Sequence, residues 1–349
     1  MELAPPDDYR WSMTDDQRVP IARRTPLDPY STRAPHLVGI VDANTLLSSV
    51  DNDCRNAGWS SRLRRMTARG ATVLYAADHV LDEVYEHLPT IAKSSPVPLA
   101  TLRARFEDEY LPALRFVTVS DADAPDPQVL AITDPDDVPT GKLAKLIAPC
   151  VVFSDDKDLK DPGFAPKRWL DAAEAAVNVA EGFGDQTTTM NVAALPVRAM
   201  VGLITFSGRK VGISPWVLAG VVLGAGALFL KKPERRKTAA QIAGKIAEGL
   251  GNQLAVAMAQ EQRGIEGLRD VILPEPMTPT IRQQVAITLA RQNLPLLAAE
   301  VHELIQLHFP DEPKVGIKKV RAALEEGTEF VRVERYRWQL GREVAPWSA

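Results

Sequence analysis

The feature that most constrains the fold is an apolar run of strand length that ends on a carboxylate. Residues 37–41 read Leu-Val-Gly-Ile-Val and are followed directly by Asp42. A run of Val, Ile and Leu without alternation is typical of a strand that is buried on both faces of a parallel sheet. Because ligands bind beyond the carboxyl ends of the strands in open α/β sheets, Asp42 is predicted to lie at such a binding edge.

A second apolar run, residues 150–154, also ends on acids, because Asp155, Asp156 and Asp158 follow it. Two buried strands that both finish on carboxylates predict a cation site at one edge of a sheet, since like charges brought together are unfavourable unless a cation neutralises them. Between the two runs, strand-like and helix-like segments alternate, which predicts βαβ units and a mainly parallel sheet. The predicted strands are residues 37–41, 71–76, 116–120 and 150–154.

The segments between these strands predict helices. A cationic helix is expected over residues 59–69, and further helices are expected over residues 99–114 and 140–147. Another helix begins after Asp78, which is expected to cap it by accepting hydrogen bonds from the first free N–H groups.

Charge divides the chain into an acidic and a basic part. Residues 36–165 contain 20 acidic and 13 basic residues, whereas residues 314–342 contain 4 acidic and 8 basic ones. Opposite charges in two parts of one chain predict different roles for them. The two cysteines, Cys54 and Cys150, provide neither a disulfide framework nor a metal-binding pair, which is typical of a reducing compartment.

Acidic residues occur at four places that the predicted fold can bring together. They follow the first and fourth strands, lie in the helix after the second strand, and precede the helix over residues 140–147. The candidates are Asp42, Glu83, Asp134, Asp136, Asp137, Asp155, Asp156 and Asp158. Mg²⁺ is usually held by a few carboxylates and serves phosphodiester hydrolysis, so a shared acidic cleft predicts a divalent metal.

Four short blocks around these acids resemble those of the PIN-domain nuclease family. The blocks are residues 41–47, Val-Asp-Ala-Asn-Thr-Leu-Leu; residues 80–84, Val-Leu-Asp-Glu-Val; residues 137–144; and residues 151–159, Val-Val-Phe-Ser-Asp-Asp-Lys-Asp-Leu. The resemblance covers residues 36–165. It implies a flavodoxin-like α/β/α sandwich over residues 36–190 and a nuclease dependent on Mg²⁺ or Mn²⁺ that acts on RNA.

The resemblance also implies a set of site residues. The catalytic, metal-binding acids would be Asp42, Glu83, Asp137 and Asp156, with Asp158 as an auxiliary metal ligand. Asn44 and Ser154 would be polar residues beside the first and fourth acids and contact the substrate.

Two of the site assignments have an alternative. Asp136 competes with Asp137, and Asp137 is preferred because Ala144 lies seven residues on, roughly two helical turns. Arg62 and Arg65 could attract the phosphate backbone of a nucleic acid, or they could belong to an ordinary solvated helix face.

Residues 191–232 have the composition of a membrane segment. Residues 217–230 carry no charge, Trp216 lies near one end of the apolar run, and a basic cluster over residues 231–237 closes it. About 20 apolar residues span a bilayer, and aromatic and basic residues mark its interfaces. The alternative is a buried helix of a globular domain. Residues 192–206 could form a second arm, although Arg198 argues against this.

Flanking segments have simpler patterns. Residues 1–35 are rich in Pro and poor in apolar residues, which predicts a disordered leader. Residues 167–190 predict an Ala-rich helix and a Gly- and Thr-rich loop. Residues 233–273 predict an amphipathic helical linker that packs against a neighbour or a second copy of the chain. Its apolar stripe consists of Ile242, Ile246, Leu250, Leu254 and Met258.

Residues 278–342 have the plan of a winged helix, since three helical segments precede an alternating, hairpin-like segment. Lys318, Lys319 and Arg321 would lie near the start of the third helix, where a helix-turn-helix reader meets DNA.

Together these patterns predict a membrane-associated, metal-dependent endoribonuclease with its functional domains in the cytoplasm. RNA is the expected substrate, and the winged helix would bind DNA or a protein. The alternative is a non-catalytic regulatory protein that binds nucleic acid or a protein through the winged helix.

Overall fold

The structure is a computed structural model that describes residues 37–56, 58, 60–68, 70–120, 126–211, 233–292 and 294–344. The predicted leader, residues 1–35, lies outside the described residues. So do residues 212–232, which are the second half of the predicted membrane segment.

A four-stranded parallel sheet forms the centre of the fold. Its strands are β1 (Leu37–Val41), β2 (Thr72–Ala77), β3 (Leu114–Val117) and β4 (Val151–Phe153), in the spatial order β3-β2-β1-β4. All three pairings are parallel. The prediction of an α/β fold with a parallel sheet is therefore confirmed, and each strand boundary lies within three residues of its predicted position.

Both faces of the sheet are buried, as the unbroken apolar runs require. Val38 and Ile40 contribute to the core on one face, while Leu37 and Val41 contribute to the core on the other. This division follows from the two-residue period of a strand.

Helices cover the Leu37 and Val41 face. They include α1 (Ala43–Arg55), α2 (Arg62–Thr67), α3 (His79–Ser94) and α4 (Leu99–Arg105). The sequence patterns did not predict α1. The single helix expected over residues 99–114 is instead three pieces, since α4 is followed by a π-helical turn, Phe106–Tyr110, and a 3₁₀ turn, Leu111–Ala113.

Three helices follow β3 in the chain, two of them before β4 and one after it. They are α5 (Pro127–Leu130), α6 (Val138–Ile147) and α7 (Lys157–Lys160). The apolar side of α6 packs on the Val38 and Ile40 face through Leu143 and Ile147. The helix begins directly after Asp137, so the carboxylate stands at the start of an element that is anchored in the core.

Two long helices, α8 (Trp169–Val211) and α9 (Pro233–Leu268), pack against each other. The predicted Gly- and Thr-rich loop is wrong, because α8 continues through it. A Cβ added at Gly264 would lie 2.6 Å from the carbonyl oxygen of Ala175, and one at Gly182 would lie 2.7 Å from that of Ala257. Glycine therefore allows the two backbones to approach closely in an antiparallel arrangement.

The buried face of α9 follows the predicted stripe at first and then departs from it. Leu250 and Leu254 are half-buried. Met258 is 55% exposed, whereas Ala257 and Leu268 are buried. The side chains of Ile242 and Ile246 lie outside the described part of the chain. The contact with α8 uses small residues, which a search for large apolar side chains overlooks.

Residues 281–340 form three helices and a second sheet. The elements are α10 (Ile281–Ala290), β5 (Leu296–Leu297), α11 (Ala298–His308), α12 (Ile317–Glu326), β6 (Phe330–Glu334) and β7 (Arg337–Leu340). The strands pair antiparallel in the order β5-β7-β6.

This C-terminal unit packs directly on the parallel sheet. Val285 and Leu340 belong to the same apolar cluster as Ile40. The Tyr75 hydroxyl donates a hydrogen bond to the Ala290 carbonyl at 3.2 Å. The boundary that the sequence predicts at residue 278 therefore does not separate two cores. Helix α10 packs beside α6 on the Val38 and Ile40 face of the sheet.

A charged contact joins the C-terminal unit to the edge of the sheet. The Arg342 guanidinium donates to the Asp78 carboxylate at 3.1 Å, and the Thr118 hydroxyl also bonds this carboxylate. Asp78 does not cap α3 with its side chain, contrary to prediction. Its carboxylate is instead used for a long-range contact.

The predicted membrane association is wrong. Within the described part of the chain, no helix is long and apolar enough to cross a membrane. The stretch 192–206 belongs to α8, which carries acidic residues along its first half; Glu174 and Glu181 form ion pairs with arginines.

The close packing of α8 and α9 can be tested at Gly264. Gly264→Ala should lower the free energy of unfolding by about 1–3 kcal/mol, because the added methyl group meets backbone atoms that cannot move aside independently. Gly251→Ala is the matched control in the same helix. Its Cβ would meet nothing within 4 Å, so it should be neutral or stabilise by about 1 kcal/mol. Thermal unfolding of both variants measures the difference, and equal midpoints would contradict the contact.

Candidate metal and active site

The candidate site lies where the order of the strands reverses. The chain leaves β1 toward β2 and β3 on one side and returns to β4 on the other. Connections that diverge from two adjacent parallel strands leave a crevice beyond their carboxyl ends, where ligands of open α/β sheets bind. Asp42 follows β1 and Asp156 follows β4 closely, so both acids lie at this crevice.

Asp42 is held in one orientation. It is only 5% exposed and occupies the N-cap position of α1. Its Oδ1 accepts a hydrogen bond from the backbone N–H of Thr45 at 2.7 Å, and its Oδ2 accepts one from the hydroxyl of Ser154. A carboxylate fixed by two bonds is preorganised to bind a ligand.

Ser154 connects the two acids that follow the central strands. Its side chain is fully buried, and its Oγ also accepts a hydrogen bond from the backbone N–H of Asp156 at 2.9 Å. Val41 pairs with Phe153 in the sheet, so the next residues, Asp42 and Ser154, lie side by side. The strand register therefore places these groups next to each other.

Asp156 caps the short helix α7. Its Oδ1 accepts a hydrogen bond from the backbone N–H of Asp158 at 2.8 Å. This bond uses one carboxylate oxygen and positions Asp158 in the first turn of α7.

Three further carboxylates converge from two segments. Oxygen atoms of Asp134, Asp137 and Asp158 all lie within 4.8 Å of one another. Asp137 occupies the N-cap position of α6 but makes no capping hydrogen bond with its side chain. Asp134 accepts a hydrogen bond from the backbone N–H of Asp136 at 3.0 Å, which folds the turn before α6.

The pKa of Asp137 links the pair Asp42 and Asp156 to the group of Asp134, Asp137 and Asp158. Burial raises the pKa of Asp137 to about 7, and the negative charges of Asp156, Asp42, Asp134 and Asp158 add to the increase. Burial and the neighbouring carboxylates both favour the protonated form of Asp137, and a bound cation would offset the same repulsion.

Asp42 and Glu83 respond to the same surroundings. Burial raises the pKa of Asp42, and the charge of Asp156 adds to this, while the hydrogen bond from Ser154 opposes it. Burial also raises the pKa of Glu83 on α3, with a contribution from the charge of Asp42 and an opposing one from His87. Glu83 lies on the helix that follows β2 and is within electrostatic range of Asp42.

These residues fit a hard divalent cation. The group that could hold an ion consists of carboxylates alone, and oxygen ligands suit Mg²⁺ and Mn²⁺. The raised pKa values agree with this, since a bound cation would relieve the part of the increase that comes from neighbouring acids.

The structure brings the five predicted acids together with Ser154. Those at the crevice are Asp42, Glu83, Asp137, Asp156, Asp158 and Ser154. Between the two open candidates, the geometry favours Asp137, whereas the charge of Asp136 acts on His79 and Glu83. Asn44 is exposed in the first turn of α1, one residue beyond the buried Ala43.

Asp134 was not among the predicted ligands, although the sequence contained a signal for it. Asp134-Pro-Asp-Asp places three acids in one turn, and sequence spacing alone did not show which two face the crevice. The structure adds Asp134 to the cluster beside Asp137.

The predicted arginines do not join the acids. Arg62 forms an ion pair with Glu174 at 2.8 Å, and Arg65 forms one with Glu181 at 2.8 Å. Both guanidinium groups thus join α2 to α8 and already have anionic partners. Lys318, Lys319 and Arg321 are exposed on α12.

Comparison with known proteins adds no relative. No protein-family model matches the chain, and neither the curated proteins nor the solved structures contain a significant match. The PIN-domain resemblance therefore stays a prediction based on four short blocks and the geometry around them.

The raised pKa of Asp137 predicts how stability depends on pH without metal. Its pKa is about 7 in the folded chain and near 3.8 when unfolded, so folding favours the protonated form. Stability should therefore be full at low pH and fall as pH rises from about 4 to 7. Asp137→Asn should remove part of this fall and stabilise the metal-free protein by about 1 kcal/mol at pH 8, after allowance for solvent screening.

Thermal unfolding in EDTA at about pH 5 and about pH 8 measures this difference. Asp155→Asn is the control, because it removes the same charge from an exposed residue that pairs with Lys160. Mg²⁺ should raise the midpoint of the wild type more than that of Asp137→Asn. The same pH dependence in Asp137→Asn and the wild type would contradict the clustered arrangement.

Proposed function

We propose that this protein is a metal-dependent endoribonuclease of the PIN type that hydrolyses phosphodiester bonds of RNA. The observation that carries the proposal is the convergence of acids from β1, β4, α3 and α6 on one crevice, with the buried Asp42 fixed by Ser154. The order of the four sequence blocks supports the same assignment. The metal would be Mg²⁺ or Mn²⁺, held by Asp42, Asp137, Asp156, Asp158, Glu83 and Asp134.

Phosphodiester hydrolysis needs an attacking water and stabilisation of the negative charge that develops on the phosphate. A bound divalent cation supplies both, because it lowers the pKa of water and offsets the phosphate charge. The residues of the chain provide the fixed positions: Ser154 orients Asp42, and the N–H of Asp158 orients Asp156. Such preorganisation avoids a reorganisation cost during the reaction.

We also propose that residues 278–342 form a winged helix that holds the nucleic acid. The order of helix, strand, two helices and hairpin, with a three-stranded antiparallel sheet, supports this. Lys319 on α12 lines a groove with Arg282 and Ser120. Ser120 lies just past the carboxyl end of β3, so this groove opens at the same end of the sheet as the acids, beside the outer strand.

Asp42→Asn tests the proposal most directly. The amide can still cap α1, but it removes a buried anionic ligand, so metal-dependent cleavage of a labelled RNA should fall by about 100-fold or more. Asp155→Asn is the matched control and should cleave at the wild-type rate, since Asp155 is exposed and pairs with Lys160. Wild-type cleavage by Asp42→Asn would refute the proposed site.

A full-length wild type that is inert with both Mg²⁺ and Mn²⁺ but binds nucleic acid or a protein would favour the non-catalytic alternative.

Ser154→Ala tests the positioning of the acids. Loss of the hydroxyl frees Asp42 and the backbone N–H of Asp156, so activity at saturating metal should fall by about 10-fold and the metal concentration for half-maximal activity should rise. A purely structural role would lower thermal stability without changing the metal dependence, which a metal titration of the rate distinguishes.

A further inference from the structure

The outer end of the hairpin formed by β6 and β7 carries aromatic and cationic side chains on one side. Arg332 lies opposite Trp338 in the strand register, and Tyr336 belongs to the turn that joins the two strands, where its ring lies next to the Arg332 guanidinium group. At the base of the hairpin the same face is buried through Phe330 and Leu340, whereas Tyr336 is 58% exposed. The face therefore continues from the core into solvent.

These side chains are held together before any ligand binds. The guanidinium carbon of Arg332 lies 5.6 Å from the centre of the Tyr336 ring and 5.8 Å from that of Trp338, and that of Arg335 lies 5.3 Å from the Tyr336 ring. These distances are within the range of cation–π contacts. Arg332 also donates a hydrogen bond to the carbonyl of Arg335. A surface ordered in advance loses less conformational entropy on binding.

The guanidinium groups of Arg332 and Arg335 are accessible to an anionic ligand. Glu334, the acid within the hairpin, pairs with Arg337 at 3.5 Å, and Arg337 also contacts Glu300 at 3.8 Å. Arg332 and Arg335 are exposed, and neither forms an ion pair with an acid in the part of the chain that the structure describes. An anionic ligand would therefore not compete with an internal partner.

We propose that the hairpin tip, defined as Arg332, Arg335, Tyr336 and Trp338, binds single-stranded RNA. An unpaired base can stack on the exposed part of the tyrosine ring and on the guanidinium planes that lie over it, while the N–H groups of the arginines contact phosphates. Bases inside a duplex are already stacked and cannot use the ring, so the tip selects for unpaired RNA. This inference rests on the proposed function, because it names the form of RNA that the nuclease would take.

The experiment measures binding separately from cleavage. Full-length Asp42→Asn protein in EDTA is titrated into a labelled single-stranded RNA, the same sequence as a duplex, and poly-glutamate, with fluorescence anisotropy as the readout. Tyr336→Ala should weaken binding of the single strand by about 10-fold or more, while Tyr336→Phe, which keeps the ring, should bind within about twofold of the parent. Arg168→Ala removes a positive charge from an exposed residue at the start of α8 and should also stay within about twofold.

Three outcomes would overturn the inference: equal binding by Tyr336→Ala and the parent, equal weakening for the duplex and the single strand, or binding of poly-glutamate that depends on Tyr336. The last would indicate an acidic protein partner. A wild type that binds single-stranded RNA through Tyr336 but cleaves nothing would refute the proposed function alone. Cleavage that is unaffected by Tyr336→Ala, with unchanged affinity, would refute the hairpin inference alone.

Discussion

The hydrogen bond between Ser154 and Asp42 is the interaction on which the candidate site depends. It joins the ends of the two central strands, and it exists because the parallel register places Val41 beside Phe153. Without it, a carboxylate that is almost fully buried would lose a donor that stabilises its charged form, and burial already opposes that form. The strand register therefore places positions 42 and 154 side by side, and the side chains at these positions then form the hydrogen bond.

The acids of the crevice come from segments far apart in sequence, and three of them stand at the start of helices that follow or pack on the sheet. Asp42 begins α1, Asp137 begins α6 and Asp156 begins α7. Loops alone would let like-charged groups move apart to relieve repulsion. Buried strands and helices prevent this movement, so the repulsion is retained as raised pKa values and as affinity for a cation.

The sequence predicted the parts of the fold that follow from local pattern. The unbroken apolar runs identified β1 and β4 and the acids that follow them. It did not predict α1, whose exposed side is rich in Ser, Asn and Asp, residues with weak helix preference that tertiary packing overrides. The strict four-residue spacing also misplaced the C-terminal end of the stripe on α9, at Met258, because the buried face passes instead to Ala257 and Gly264, which make contacts that large apolar residues usually make. An apolar stripe shows that a face is buried but not what buries it, so the packing of α10 on the sheet was beyond reach.

Both outer strands of the parallel sheet are shielded by later parts of the chain. The backbone of Arg342 exchanges two hydrogen bonds with Phe116 of β3, at 2.7 and 2.9 Å, and the N–H of Leu273 bonds the carbonyl of Cys150 just before β4 at 2.9 Å. Unpaired outer strands invite pairing with other chains. The parallel-sheet region that carries the acids therefore depends on the C-terminal unit. Without that unit, both outer strands would be unpaired and the Val38 and Ile40 face would be partly uncovered. We expect such a fragment to self-associate.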